Sequence, residues 1–260
     1  MKAVVSRDNA DYKAVAKLVS SATQRKRSGL SVLDGPHLLA ALLDSGAKPE
    51  ALYVSRAGID SPEIAKLAAR SAPARVTLLA DPLYDSLSTV ESPTGVLSVV
   101  KTPPARQAPG DSDFALLLED IQDPGNVGTL LRSAAAAGVR DVLLSARCAF
   151  AWSPKVLRAA MGAHFAVNIA EGVDLAAWLA AYRGTSVALA GESGRSLYDL
   201  DLRGPVAFVV GNEGAGLSPA LREAARATAS IPMSPRMESL NAAAAGTVAL
   251  FEAARQRRKR

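Results

Sequence analysis

The sequence predicts an α/β protein in two parts, the second built on a largely parallel sheet. Three observations carry this. Short apolar runs alternate with helix-like segments along most of the chain, and those in the C-terminal half, such as "FALLL" and "VAFVV", are apolar at every position rather than at every second one. A single Pro-rich, aperiodic stretch, "KTPPARQAPGDSD", interrupts the alternation. Continuously apolar strands imply burial on both faces, the condition of a parallel sheet covered by helices. The aperiodic stretch reads as a linker. The expected organisation is a small α/β domain over 1–100, a linker over 101–112 and a larger α/β domain over 113–260.

In the first part, "DYKAVAKLVSSATQRK" places Val15, Leu18 and Val19 at helical spacing and reads as a helix ending at the basic "RKRSG". "SVLDG" is a short strand. "PHLLAALLDSG" opens on Pro and closes on Gly46, as a helix should. "EALYVS", "VTLL" and "VLSVV" read as strands, with "SPEIAKLAARS" a capped helix between the first two. In the second part the alternation is more regular. Strand "FALLLED" is followed by a helix to Ala137 that Gly138 is placed to stop, then by strand "DVLLS" and helix "SPKVLRAAMG". "FAVNIA", "TSVALAG", "PVAFVVG" and "ATASIPM" are further strands; "DLAAWLAAY" and "SPALREAARA" are helices, and a last helix begins at about Ser239.

Composition narrows the function classes. With 260 residues, 49% hydrophobic and 21% charged, the chain can bury a sizeable core and is not disordered. "MKAVVSRDNADYK" meets Arg7 and Asp8 before any apolar run long enough for a signal peptide, and no stretch approaches the roughly 18 apolar residues of a membrane span, so the expectation is a cytoplasmic protein without a membrane partner. Cys148 stands alone and His37 and His164 are the only imidazoles, which excludes a disulfide framework and argues against a metal site.

Charge points to a polyanion. The net charge is +5, and residues 1–30 carry seven cations against Asp8 and Asp11. Arg25, Lys26 and Arg27 are the densest group, and the tail "RQRRKR" adds five more positive charges. These are either a solvated helix face and a frayed end or two handles for phosphate backbones. Aromatic residues are only 5% and almost absent from the basic clusters, so contacts would be to phosphate and sugar rather than stacked bases.

Ligands of open α/β sheets collect at the carboxyl ends of the strands, and three such ends stand out. After "FALLLED", Asn126 and Gly128 lie at the start of a helix whose free amides favour anionic groups, and Arg132 follows among Ala and Leu side chains. An Arg in that setting is expected to be partly desolvated and to need a partner, either an ion pair within the protein or a substrate; Asn126 is either a cap or a site residue. In "FVVGNEGAGLS" the spacing of Gly211, Gly214 and Gly216 matches neither a dinucleotide fingerprint nor a P-loop, and Glu213 would repel phosphate, so a nucleoside or a cationic group suits it better than a triphosphate. In "IPMSPRMESLNAAAAG", Ser239 and Asn241 either cap the last helix or point into a site.

Together "NVGTLLRSA", "VVGNEGAGLS" and "IPM....ESLN" closely resemble, in order and spacing, the three motifs of the SpoU (TrmH-like) RNA 2′-O-ribose methyltransferases of the SPOUT superfamily, a match spanning residues 113–256. Residues 1–100 resemble, more loosely, the family's RNA substrate-binding module. The resemblance implies an α/β-knot domain with a C-terminal trefoil knot, S-adenosylmethionine as cofactor, a homodimer with active sites at the subunit interface, and RNA, most often ribosomal, as substrate; transfer RNA is the alternative. It implies catalytic roles for Asn126, Arg132, Glu213, Ser239 and Asn241, cofactor binding by Leu189, Gly211, Ile231, Met233 and Leu240, and RNA contact by Arg132; the basic cluster Arg25, Lys26 and Arg27 is expected from its charge to contact RNA as well. Pro235 stands where many relatives carry Gly, and its φ is fixed near −65°, so if the family conformation there has positive φ the loop must take another path. An Arg is effectively always protonated, so the role expected of Arg132 is to clamp a phosphate and stabilise developing alkoxide rather than to act as a base. A non-catalytic RNA-binding protein is the rival class. A nucleotide-dependent oxidoreductase is disfavoured by the glycine spacing.

Overall fold

The computed structural model describes residues 2–258 apart from 91, 105, 106, 108, 192–194, 235 and 238. Pro235 thus lies outside the described residues, as do the last two of the basic tail. The chain divides into two compact units, Met1–Pro104 with Trp152–Phe165, and Ala105–Ala151 with Ala166–Arg260.

The first unit holds β1 (Lys2–Val4), α1 (Ala10–Ser20), α2 (Ala22–Ser28), β2 (Leu30–Asp34), α3 (Pro36–Asp44), β3 (Ala51–Ser55), α4 (Arg56–Ile59), α5 (Pro62–Arg70), β4 (Arg75–Leu79), α6 (Asp81–Asp85) and β5 (Val96–Lys101). The sheet runs β1-β4-β3-β5-β2, with β5 antiparallel to both neighbours. β1 was not expected; it is three residues long, too short for a period to show. The helix expected across 11–26 is two helices. Ser21, extended at φ −120° and ψ 113°, ends the first, and its side chain accepts from Gln24 N to start the second.

The second unit holds β6 (Phe114–Leu118), α7 (Pro124–Ala137) and β7 (Asp141–Leu144); α8 (Pro154–Ala160) belongs to the first unit. There follow β8 (Asn168–Glu171), α9 (Leu175–Ala181), β9 (Thr185–Leu189), β10 (Val206–Val210), α10 (Pro219–Ala224), β11 (Ala227–Ala229) and α11 (Ala242–Arg257). Two sequence boundaries therefore shift. The segment 152–165, read as part of the larger domain, packs in the first unit, where α8 lies against β2; helical spacing shows that a face is apolar, not which core receives it. The end of the expected linker is tied down, because Pro109 O accepts from Trp178 Nε1 at 2.9 Å and Ser112 O from Tyr182 Oη at 3.0 Å.

The sheet of the second unit is parallel throughout, in the order β11-β9-β10-β6-β7-β8. Every residue of β6 and β10 is buried, as their apolar runs require. On one face Ala207 and Val209 join Leu117, Leu143, Trp178, Leu179 and Leu221 in a core beneath α9 and α10. On the other, α7 and α11 pack side by side. A methyl on Gly246 would come within 2.4 Å of Leu130 Cδ2 and 3.2 Å of Val210 Cγ2, so the glycine sets how closely α11 approaches. The chain leaves β8 at one edge and re-enters at β9, placing β10 beside β6. Their carboxyl ends thus meet at the point where strand order reverses, the place where such sheets bind ligands.

Candidate active site

The loops after β6, β10 and β11 converge on this end of the sheet, and one run of hydrogen bonds joins them. Asn126 Nδ2 donates to Glu213 Oε1 at 2.7 Å, and Asn241 Nδ2 donates to Asn126 Oδ1 at 3.1 Å. Asn241 Oδ1 then accepts from the backbone of Ala243 and Ala244 at 2.9 and 3.2 Å. Asn241 therefore both caps α11 and reaches the site, and the helix starts at Ala242 rather than Ser239. Asn126 is not the cap of its helix; that is Asp123, whose Oδ1 accepts from Asn126 N at 2.8 Å. With the cap supplied from three residues earlier, the Asn126 side chain is available to Glu213. Gly138 stops α7 in the left-handed conformation, as expected.

The glycine-rich loop is folded by Asn212. Asn212 Oδ1 accepts from Gly214 N at 2.9 Å and Ala215 N at 3.0 Å, while Nδ2 donates to Asp120 O at 2.9 Å. Asp120 itself sits at φ 55°, in the left-handed region. Desolvation pushes its carboxyl up, but hydrogen bonds from Arg147 and Ser145 outweigh this and hold it below the usual carboxylate range. Glu119 Oε2 accepts from Ser218 N at 2.8 Å, fixing the start of α10. Cys148, half-buried beside Ser145, has its thiol pushed up by burial and is no thiolate nucleophile.

These loops enclose a cavity of about 340 Å³. Leu189, Gly211, Glu213, Ile231, Met233, Ser239 and Leu240, all named from the sequence, line it, together with Asn212 and Arg222, which were not. Asn212 was legible as the residue beside Glu213; Arg222 left no signal, because a base on an exposed helix is ordinary. Arg132 is not among the lining residues. Its expected desolvation is also corrected: it is exposed, on the outer stripe of α7 with Gly125, Thr129 and Ala136, and its side chain makes no hydrogen bond or ion pair among the described residues. The alanines around it in sequence face inward or to the side, so neighbours along the chain are not its neighbours in space. Arg25 is a second correction. It is 6% exposed, and its Nη1 donates to Leu18 O and Val19 O at 2.6 and 2.9 Å, so it closes the end of α1 and cannot face a phosphate. Lys26 and Arg27 are exposed.

The cavity suits a nucleoside-bearing cofactor that carries a cation. Its volume lies within the range of small-molecule sites, and its walls are mainly apolar side chains and glycine backbone. A Cβ on Gly214 would meet nothing nearer than Asn212 Oδ1 at 3.6 Å, so backbone there stands open to a guest. Glu213 supplies one negative charge for a cationic centre. S-adenosylmethionine, a nucleoside bearing a sulfonium, fits these walls.

The residues 113–251 match the model of the SpoU rRNA Methylase family. An uncharacterized tRNA/rRNA methyltransferase of Synechocystis is 32% identical over 89% of this chain and 86% of its own. The 23S rRNA (uridine(2479)-2′-O)-methyltransferase of Streptomyces viridochromogenes is 30% identical over 96% of this chain and 91% of its own. The crystal structure of the SpoU methyltransferase AviRb from the same organism, in complex with the cofactor AdoMet, superposes with a TM-score of 0.85 at 28% identity, covering 97% of this chain and all of that one. Fold and cavity define the class, an α/β protein with a cofactor site where its parallel strands reverse order. The chain belongs to the SpoU rRNA methylase family.

Proposed function

We propose that the chain transfers a methyl group from S-adenosylmethionine to a ribose 2′-hydroxyl of ribosomal RNA, that of the large subunit, in the cytoplasm. The observation that carries this is the run of hydrogen bonds from Glu213 through Asn126 to Asn241, which gathers three motif loops at the mouth of a nucleoside-sized cavity. When bound, S-adenosylmethionine supplies an electrophilic methyl on sulfur. Leu189, Gly211, Ile231, Met233 and Leu240 hold it. Asn126, Ser239 and Asn241 orient the ribose, and Glu213 anchors the glycine-rich loop. Arg132 clamps the adjacent phosphate and stabilises the developing alkoxide, the hydroxyl proton passing to phosphate or water. Ribosomal RNA is preferred because the relative named for 23S rRNA matches through both units, and Lys26 and Arg27 of the first present charge to a backbone.

The proposal includes a homodimer. α7 and α11 pack together, Ser133 Oγ meeting Thr247 Oγ1 at 2.7 Å, and outward they show Thr129, Arg132 and Ala136 beside Ala244, Val248 and the 44% exposed Phe251. A second copy seated on this small-residue surface would cover Phe251 and bring Arg132 of one copy to the cavity of the other, which explains an exposed Arg outside its own site. Phe251→Asp is expected to turn a dimer into a monomer in analytical ultracentrifugation and to remove methylation; a persisting dimer would locate the interface elsewhere. The knot belongs to the proposal too. After β11 the chain returns to α11, and the segment before β10 grips that helix, Gln256 Oε1 accepting from Leu202 N at 3.0 Å and Nε2 donating to Leu200 O at 3.1 Å.

The test is to map 2′-O-methyl groups in ribosomal RNA from cells with and without the gene, and to assay transfer of labelled methyl groups to that RNA in vitro. Label on transfer RNA alone would move the substrate. Tight RNA binding with no heat on titration with S-adenosylmethionine would replace the enzyme by a binding protein.

A further inference from the structure

Among the described residues lining the cavity, Arg222 is the only cation and Glu213 the only anion. Arg222 lies on α10, whose first turn is fixed twice: Ser218 Oγ accepts from Leu221 N, and Ser218 N donates to Glu119. From there the guanidinium reaches over the glycine-rich loop, since a methyl on Gly216 would lie 3.5 Å from Arg222 Nη2. Gly216 is itself left-handed, at φ 67°. The side chain of Arg222 makes no hydrogen bond or ion pair within the described residues. A planar fork of donors thus stands at the wall of the cavity without a partner, and its natural complement is a carboxylate. The methionine part of the cofactor carries one carboxylate, and Arg222 is the one basic side chain that this chain's described residues bring to the cavity wall.

We propose that Arg222 is the carboxylate subsite of the cofactor cavity, separating S-adenosylmethionine and its demethylated product from nucleosides that lack the amino-acid group. This rests on the cofactor assignment above. Because Arg222 is exposed and has no partner among the described residues, its replacement should leave the fold intact.

The experiment is calorimetry of the wild type and Arg222→Gln with two ligands, S-adenosylhomocysteine and its decarboxylated analogue, which keeps nucleoside, sulfur and amine. The wild type should prefer the carboxylate-bearing ligand by on the order of tenfold, as expected for one charge-assisted pair. Arg222→Gln should lose that preference, leave the affinity for the decarboxylated analogue unchanged, and keep the wild-type melting temperature. The preference should also shrink with added salt, as exposed pairs do. Equal affinities of the variant and wild type for S-adenosylhomocysteine would overturn the subsite, as would a loss shared equally by both ligands. A wild type that binds neither ligand would instead overturn the cofactor assignment, and the subsite with it.

Discussion

Replacing Arg132 with alanine is expected to lower kcat/KM for methyl transfer by about a hundredfold or more, the usual cost of removing one donor that stabilises developing negative charge. Cofactor affinity should stay within a few-fold of wild type, because Arg132 lies outside the cavity lining of its own copy and its proposed partner in the other is the RNA phosphate, not the cofactor. Stability should hardly change either, since its side chain is exposed and pairs with nothing among the described residues. Single-turnover methylation, calorimetry and a melting curve check the three parts. Arg132→Lys should recover only part of the rate, because an ammonium keeps the charge but not the planar fork. An unchanged rate in Arg132→Ala would remove the residue from the mechanism.

Gly211→Ala is expected to weaken cofactor binding. The added Cβ would sit 2.4 Å from Gly216 C and 2.5 Å from Gly216 O and Leu217 N. All three are backbone atoms, so no rotamer change relieves the clash and the loop must open. Overpacking of this kind costs about 1–3 kcal/mol. Here it falls on the loop that forms the cavity wall, so the affinity for S-adenosylhomocysteine should drop by about five- to a hundredfold, the ordinary conversion of that energy. Gly214→Ala is the control. Its Cβ meets only Asn212 Oδ1, at 3.6 Å, so the protein alone tolerates it; any loss of affinity in that variant reports the cofactor occupying the space. Wild-type affinity in Gly211→Ala would show that the loop rearranges freely and that its folded path does not shape the site.

Much of the second unit was legible because its signals are local. The burial of "FALLL" and "VAFVV" and the left-handed stop at Gly138 follow from patterns that a few neighbouring residues carry, whereas the grouping of Glu213 with the "IPM" and "SLN" segments came from the family resemblance. What was missed depends on partners distant in sequence. Arg25 reads as one of three basic residues in a row, yet it turns inward because α1 ends with carbonyls in need of donors. Arg132 reads as an Arg among alanines, yet its helix face is outward. The break at Ser21 was hidden because Ser, although it favours caps, also occurs inside helices, and the run around it keeps helical spacing. α8 carries the helical period expected of it, but the period says nothing about the core it joins.

The paired asparagines at the mouth also set a direction. Glu213 can only accept, so the Asn126 amide must present its nitrogen there and its oxygen to Asn241. The free N–H groups opening α11 can only donate, so Asn241 must turn its oxygen to them. Each terminus independently dictates the same arrangement, and rotating either amide would set like poles against each other. The helix end and the carboxylate thereby act as two fixed electrodes with aligned dipoles between them, and under the proposed function the ribose would meet a field oriented before it arrives.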